Sequence, residues 1–467
     1  MAETKRWGDV VDEPEEESTT NTSTSTPLPE LESLKIEEDV KKENDFLEEA
    51  EDTNITAVTA EDTLYSTAAT FEDLNLSEEL LRGLYVEMKF TRPSKIQSVS
   101  LPMILSPPYK NLIAQAHNGS GKTTCFVLGM LSRVDPNLKS PQALCVCPTR
   151  ELVVQNLEVL RKMGKYTGIT SIPALPTKDG RRGQVVDQVV IGTPGTIGRW
   201  FSYKTLSPRD LKILVFDEAD HMLADSGFQE DSLKLMRDIR KANRNIQILL
   251  FSATFNETVK SFAAKHVSDP NQMFVKKEEL SLDVVKQYKV YCPDEKAKLE
   301  LIKDRIFELG EKLGQTIIFV NSKNSAKLLH EELGDYGYGC TTLHGNLDKE
   351  YRDKVVKEFK DGLTKVLIST DVLARGFDQS QVNLVINYDI PAKHNFRTEP
   401  DYEVYLHRCG RAGRFGRKGA VFNFLCTDAD FKLMDKIQEY FGSQIVEVPD
   451  WRSVEEVEKA LKAAGLL

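Results

Sequence analysis

From Phe71 to the C-terminus, short runs of aliphatic and β-branched residues alternate with longer stretches in which apolar and polar positions are mixed with a helical spacing. The runs at 143–147, 188–191, 213–216 and 246–251 hold few polar side chains. Strands of that kind are buried on both faces, unlike the in–out alternation of a half-exposed sheet. Polar residues from Ser268 to about Glu279 interrupt the series, which resumes at 316–320, 365–368, 384–387 and 420–424. Strand runs separated by helical stretches need crossover connections, so each series predicts a parallel sheet wrapped by helices. The expected fold class is α/β, with two tandem doubly wound domains, 66–275 and 276–467, joined by a short linker. In such sheets ligands collect at the carboxyl ends of the strands.

Residues 1–65 follow no such pattern. Glu15-Glu16-Glu17, a Ser/Thr-rich run from Ser18 to Thr26 and a scarcity of aromatics leave too little apolar surface to offset ordering entropy, so a disordered acidic extension is expected. Leu31, Leu34, Ile36, Phe46 and Leu47 are the positions where it would dock as a transient helix; a solvated tail is the plainer alternative.

Charge changes the picture once it is divided. The chain of 467 residues has a net charge of −11, which argues against a nucleic-acid binder. Residues 1–62, however, carry 20 acidic and five basic residues, a local net of −15, leaving 56 basic against 52 acidic residues, or +4, for the rest. A phosphate-facing groove is therefore allowed. No apolar run reaches a membrane-spanning length and no secretory signal follows Met1, so an intracellular protein without a membrane partner is expected. The seven cysteines show no paired metal-ligand spacing and are expected to be reduced and mostly buried.

The chemistry lies at the strand ends. Ala116-His117-Asn118-Gly119-Ser120-Gly121-Lys122-Thr123 follows the apolar stretch 111–114. A strand ending in a Gly-rich turn surrounds β- and γ-phosphates with backbone N–H groups; Lys122 would neutralise phosphate charge and Thr123 would hold Mg²⁺. Ala116 stands where the usual pattern opens with Gly, and the string alone is equally compatible with a plain Gly-rich turn. The run 213–216 ends in Asp217-Glu218-Ala219-Asp220. With 72 acidic residues an acidic quartet alone means little. At the end of a buried strand downstream of a phosphate loop, it suits metal coordination by Asp217 and water activation by Glu218. Ser252 and Thr254 of Ser252-Ala253-Thr254 either hydrogen-bond to that quartet or cap a helix. In the second series, the arginines of His407-Arg408-Cys409-Gly410-Arg411-Ala412-Gly413-Arg414 form either a loose nucleic-acid patch or an arginine finger. Arg411 and Arg414 would share one face if this stretch is helical, bringing positive charge to a γ-phosphate only on domain closure.

Taken in order, these motifs resemble the DEAD-box RNA helicases, and the resemblance covers nearly everything from 71 to 467. It implies two RecA-like domains, ATP and Mg²⁺ as ligands, and RNA-stimulated ATP hydrolysis. Phe90-Thr91-Arg92-Pro93-Ser94-Lys95-Ile96-Gln97 is similar to the family's adenine-reading motif, with Gln97 on the adenine edge and Phe90 on its face. By the same resemblance His407 couples the ATP and RNA sites and Asp378 approaches the ribose. RNA contacts fall to Pro148, Thr149, Arg150, Thr193, Pro194, Gly195 and Thr370. Hydroxyls, loop N–H groups and one guanidinium, without an exposed aromatic series, suit backbone binding without sequence preference.

This sequence departs from the family at Thr196, where Arg is common, at Cys409 and Ala412, and at Lys349-Glu350-Tyr351-Arg352 in place of Gln-x-x-Arg. Outside the catalytic motifs, Leu64-Tyr65-Ser66, Phe71-Glu72-Asp73-Leu74, Pro107-Pro108, the lengthened segment 392–402 and Val448-Pro449-Asp450-Trp451 are similar to the mRNA-export branch. That branch implies remodelling of messenger ribonucleoprotein (mRNP) at the cytoplasmic face of nuclear pores. Its implied partners are single-stranded RNA, a nucleoporin and an inositol-hexakisphosphate-dependent export factor, and its locations are cytoplasm, nucleus and nuclear envelope. Monomer is the default. The alternatives are a translation-associated DEAD-box helicase, an ATP-gated RNA clamp without significant unwinding, and a DNA-directed motor.

Overall fold

The computed structural model describes residues 55–59, 65–116, 119–176, 183–224, 226–275, 285–309, 313–371, 379, 381–393, 396–413 and 417–467. The first lobe is built on eight strands: β1 (Ile55–Val58), β2 (Asn111–Gln115), β3 (Ala143–Val146), β4 (Ser171–Ala174), β5 (Val189–Gly192), β6 (Ile213–Phe216), β7 (Gln247–Ser252) and β8 (Pro270–Val275). Their order across the sheet is β1-β8-β2-β7-β6-β3-β5-β4, and every pairing is parallel except β1 with β8. Strands β3, β5, β6 and β7 are buried along their whole length, so the apolar runs correspond to strands covered on both faces. One face packs under Phe126, Leu157 and Phe251, the other under Phe216, Met236 and Phe262.

The second lobe repeats the plan with β9 (Val285–Tyr291), β10 (Gln315–Phe319), β11 (Cys340–Leu343), β12 (Val366–Ser369), β13 (Val382–Asn387), β16 (Gly419–Leu425) and β17 (Val446–Val448) in the order β11-β12-β10-β13-β16-β9-β17, all parallel. A separate hairpin, β14 (Ala392–Lys393) with β15 (Phe396–Pro400), accounts for the lengthened segment.

Two expectations are corrected. The stretch from Ser268, read as linker, begins with β8, whose Asn271, Gln272 and Met273 pair with β2. Asn271 is fully buried and its amide donates to Tyr65 Oη at 3.2 Å. A polar residue satisfied inside a sheet resembles a linker residue in sequence. In addition, Ile55–Val58, assigned to the acidic extension, closes the sheet edge against β8, as its three β-branched residues, Ile55, Thr56 and Val58, favour. The expectation of disorder over 1–54 lies outside the described residues. Among the described residues all seven cysteines are free, and no helix is long and apolar enough to cross a membrane.

Candidate nucleotide and RNA site

The motifs of the first lobe fall at the carboxyl ends of neighbouring strands, and the parallel register fixes their spacing: Gln115 pairs with Ser252, and Val146 with Phe216 and Gly192. After β2 the chain turns through Gly119 and Gly121, at φ 84° and 98°, a left-handed conformation that glycine adopts without strain. The helix Lys122–Arg133 starts there. Lys122 is 8% exposed and its Nζ donates to the Ala116 carbonyl at 2.7 Å, so the side chain folds over the loop it follows. The cradle is tied to the preceding helix, Lys95–Leu105. Gln97 Nε2 donates to the Gly121 carbonyl at 3.3 Å while its Oε1 accepts from Ser94 N–H at 2.9 Å, and a Cβ on Gly121 would lie 2.5 Å from Gln97 Nε2. Phe90 packs half-buried on the core of the first lobe, at the entrance to this helix. His117 and Asn118 lie outside the described residues.

Facing the cradle, Asp217 and Glu218 are both buried, and Glu218 adopts φ 53°. Left-handed backbone at a non-glycine acid is strained, and such strain persists where surrounding structure over-determines it. Burial, reinforced by the Glu218 charge, pushes the Asp217 carboxyl up to about 6; a hydrogen bond from Asn156 and the Lys122 charge act in the opposite direction. Glu218 Oε2 is buried and lacks a hydrogen-bond partner among the described residues. Together with the Thr123 hydroxyl at the helix start, the site offers hard oxygen donors in a buried position. Among the described residues there is no cluster of three or more metal-ligating side chains. Such a set suits a small divalent cation that takes most of its ligands from phosphate and water.

The fourth residue of the quartet has a different task. Asp220 N–H donates to Ser252 Oγ at 3.1 Å, and Asp220 Oδ2 accepts from Thr254 N–H at 3.0 Å and Thr254 Oγ1 at 2.8 Å. His407 Nε2, from the second lobe, stands 3.6 Å from the same Oδ2, with both residues fully buried. Ser252 and Thr254 therefore converge on Asp220, and Asp220 converges on the other lobe. His407 belongs to the helix Tyr402–Cys409, started by Asp401, whose side chain accepts from Val404 N–H. Beside it Arg408, fully buried, donates to Asp371 Oδ1 at 2.7 Å, Asn321 Oδ1 at 3.0 Å and the Asp389 carbonyl at 2.7 Å. A buried guanidinium persists only when matched in this way, and here it fastens the His407 helix to the ends of β10, β12 and β13. Arg411 follows the helix in a turn, so the helical condition for pairing it with Arg414 is not met. It is 2% exposed, and its Nε donates to the His407 carbonyl at 3.0 Å. Arg414 and Asp378 lie outside the described residues.

The residues expected to meet RNA sit after β3, β5 and β12. Thr149 Oγ1 caps the helix Arg150–Met163 by accepting from Leu152 N–H. Pro194 and Gly195 open the helix Pro194–Ser202 behind Thr193, and Thr370, half-buried, follows β12. At the departure Thr196, Arg199 reaches back one turn, placing Nη2 3.3 Å from Thr196 Oγ1 and Nε 3.3 Å from the Gly195 carbonyl. Arg150 points across the cleft, making a bidentate contact with Asp353 at 3.1 and 2.6 Å. Its neighbour Glu151 accepts from Arg352 at 2.6 Å, and Glu158 from Lys360 at 3.3 Å. Sequence reading did not foresee this helix-to-helix seam, nor Asn156. Asn156 is fully buried between Val153 and Leu160 on the apolar stripe of its helix, and a polar residue on such a stripe was the available signal.

Residues 94–262 match the DEAD/DEAH box helicase family and residues 297–416 the helicase conserved C-terminal domain. The chain is 63% identical to DEAD-box ATP-dependent RNA helicase 38 of Arabidopsis thaliana over 447 residues, covering 94% of this chain and 89% of the relative. Its structure is similar to that of S. cerevisiae Dbp5 bound to RNA and ADP-BeF3, with a TM-score of 0.80 and 40% identity over 85% of this chain and all of that one. It is also similar to a Dbp5 variant bound to Nup159, a Gle1 variant, IP6 and ADP, with a TM-score of 0.60 and 39% identity over 83% of this chain and all of that one. With both lobes, the ordered motifs and relatives that span nearly its whole length, the chain belongs to the DEAD-box family of ATP-dependent RNA helicases.

Proposed function

We propose that this helicase remodels messenger ribonucleoprotein during export through the nuclear pore, acting as a monomer whose two lobes close over ATP·Mg²⁺ and single-stranded RNA. The observation that carries the coupling is the approach of His407 to Asp220, because Asp220 is held by Ser252 and Thr254 beside the hydrolytic acids. Lys122 and the Gly119–Gly121 turn hold the phosphates, Thr123 and Asp217 hold the metal, and Glu218 orients the attacking water. When bound, Mg²⁺ neutralises charge on the phosphate oxygens. Arg411, with Arg414, brings positive charge to the γ-phosphate from the second lobe. Gln97 and Phe90 read adenine, and Asp378 approaches the ribose. Thr149, Arg150, Thr193, Gly195 and Thr370 hold the RNA backbone. Because one closed state serves both ligands, each raises the other's affinity.

The export assignment is supported by the likeness to Dbp5, including its complex with Nup159, Gle1 and IP6. A nucleoporin and an inositol-hexakisphosphate-bound export factor are accordingly the partners proposed, and the cytoplasmic side of the nuclear envelope the place. Two measurements test this reading. Steady-state ATPase with and without RNA should show Glu218→Gln binding nucleotide but turning over at least about a hundredfold more slowly; unchanged RNA-stimulated turnover removes the role of Glu218. Depletion from cells should retain polyadenylated RNA in the nucleus, restored by the native chain and not by Glu218→Gln. Normal RNA distribution, with copurification of ribosome-associated factors, places the protein in translation instead.

A further inference from the structure

Asn156 has no role in the scheme above. It lies mid-helix, 0% exposed, among Val153, Leu157 and Leu160. Its Nδ2 donates to Asp217 Oδ2 at 2.8 Å, and the same nitrogen lies 3.4 Å from Cys147 Sγ, which accepts its second proton. Cys147 is braced in turn by Cys145, Sγ to Sγ 3.7 Å. Both amide protons are thus spent, and the amide plane is fixed. Flipping it would turn the carbonyl oxygen toward a carboxylate, acceptor against acceptor. Asn156 Oδ1 meanwhile is buried with no hydrogen-bond partner among the described residues.

That unmatched oxygen bears on why the residue is there. A buried polar group with one end unsatisfied is unfavourable, and an aliphatic side chain of similar volume would fill this stripe without the penalty. Packing therefore does not account for an amide here, whereas the contact with Asp217 does. Resting on the nucleotide site proposed above, we infer that Asn156 is a positioning residue: its amide, clamped by the Cys147 thiol, holds Oδ2 of the Asp217 carboxylate in one rotamer so that the other oxygen is directed at the metal of the bound nucleotide. Asp217 is buried, and the Asn156 amide holds one of its carboxylate oxygens at 2.8 Å from inside the lobe. Partners one layer behind a metal-binding group typically set its affinity by about 10- to 100-fold.

The test is equilibrium binding of a fluorescent ATP analogue, with and without Mg²⁺, to the full chain and to Asn156→Leu and Asn156→Ser. Two variants are used because either change alone risks misfolding; each is first checked for a native melting curve. The expected result is a roughly tenfold or greater rise in the Mg²⁺ concentration for half-maximal tightening, while affinity in EDTA stays within about twofold of the native chain. Native Mg²⁺ dependence in a folded variant overturns the inference. So does an equal loss of affinity with and without Mg²⁺, which reports general damage to the lobe. If the native chain itself shows no Mg²⁺-dependent binding, the proposed nucleotide site fails and not the role of Asn156 within it.

Discussion

The two lobes meet along two seams of opposite character. The inner seam has a dry centre, where Asp220 and His407 are fully buried, and a half-buried edge, where Asn256 donates to Glu403. The outer seam is wet, with Arg150, Glu151 and Glu158 of the helix Arg150–Met163 facing Asp353, Arg352 and Lys360 of the helix Lys349–Lys360. Asp353 and Glu158 are about half exposed, whereas Glu151 is 5% exposed. Desolvated contacts lose most when one partner is removed, because the other is left buried and unmatched; exposed pairs exchange cheaply for water. Separating the lobes therefore costs more per contact at the inner seam than at the outer one. The inner seam is also incompletely packed. A cavity of about 730 Å³ lined by Phe255, Phe274, Leu406 and Tyr440 adjoins it, so less apolar contact has to be given up on opening.

Three substitutions grade this contrast. The largest effect is expected for Asp220→Ala, which strips Thr254 of the acceptor of two hydrogen bonds and removes the carboxylate that the buried His407 faces at 3.6 Å. At least two buried contacts to a charge are lost, about 3 kcal/mol or more, so RNA-stimulated turnover should fall at least about a hundredfold while nucleotide still binds. Retention of RNA stimulation would mean that the inner seam does not couple the ligands. Next comes Glu151→Ala, which leaves the Arg352 guanidinium facing no carboxylate. Arg352 keeps some contact with water, so the cost to the closed state should be about 1–2 kcal/mol, less than for a wholly buried pair. Single-molecule energy transfer between dyes on the two lobes, with RNA and a non-hydrolysable analogue present, reads the closed fraction directly. The smallest effect is expected for Lys360→Ala, below about 0.5 kcal/mol and vanishing at high salt. A large loss there would show that the outer seam bears more of closure than its exposure allows.

The sequence and the structure agree where chemistry and periodicity point the same way. The apolar runs at 213–216 and 246–251 are β6 and β7 almost residue for residue, and the motifs that follow them meet at Asp220. A run of branched aliphatics has few other places to go. Agreement fails where a polar residue is satisfied by something distant in the chain. Asn271 made β8 look like linker because its partner, Tyr65, is 206 residues away. Arg150 is also expected at the RNA backbone, and what its local pattern does not announce is the added pairing with Asp353, 203 residues on. Asn156 was passed over although its position on the helix stripe was visible; only the fold brings it to Asp217.

Arg150 and Glu151 are adjacent in the chain and opposite in sign, and so are Arg352 and Asp353. The pairing is crossed, first with second and second with first. Rolling either helix so that the partners exchange sets guanidinium against guanidinium and carboxylate against carboxylate. Four neighbouring charges thus favour one handedness of lobe association: one mating is attractive and its exchanged form is repulsive.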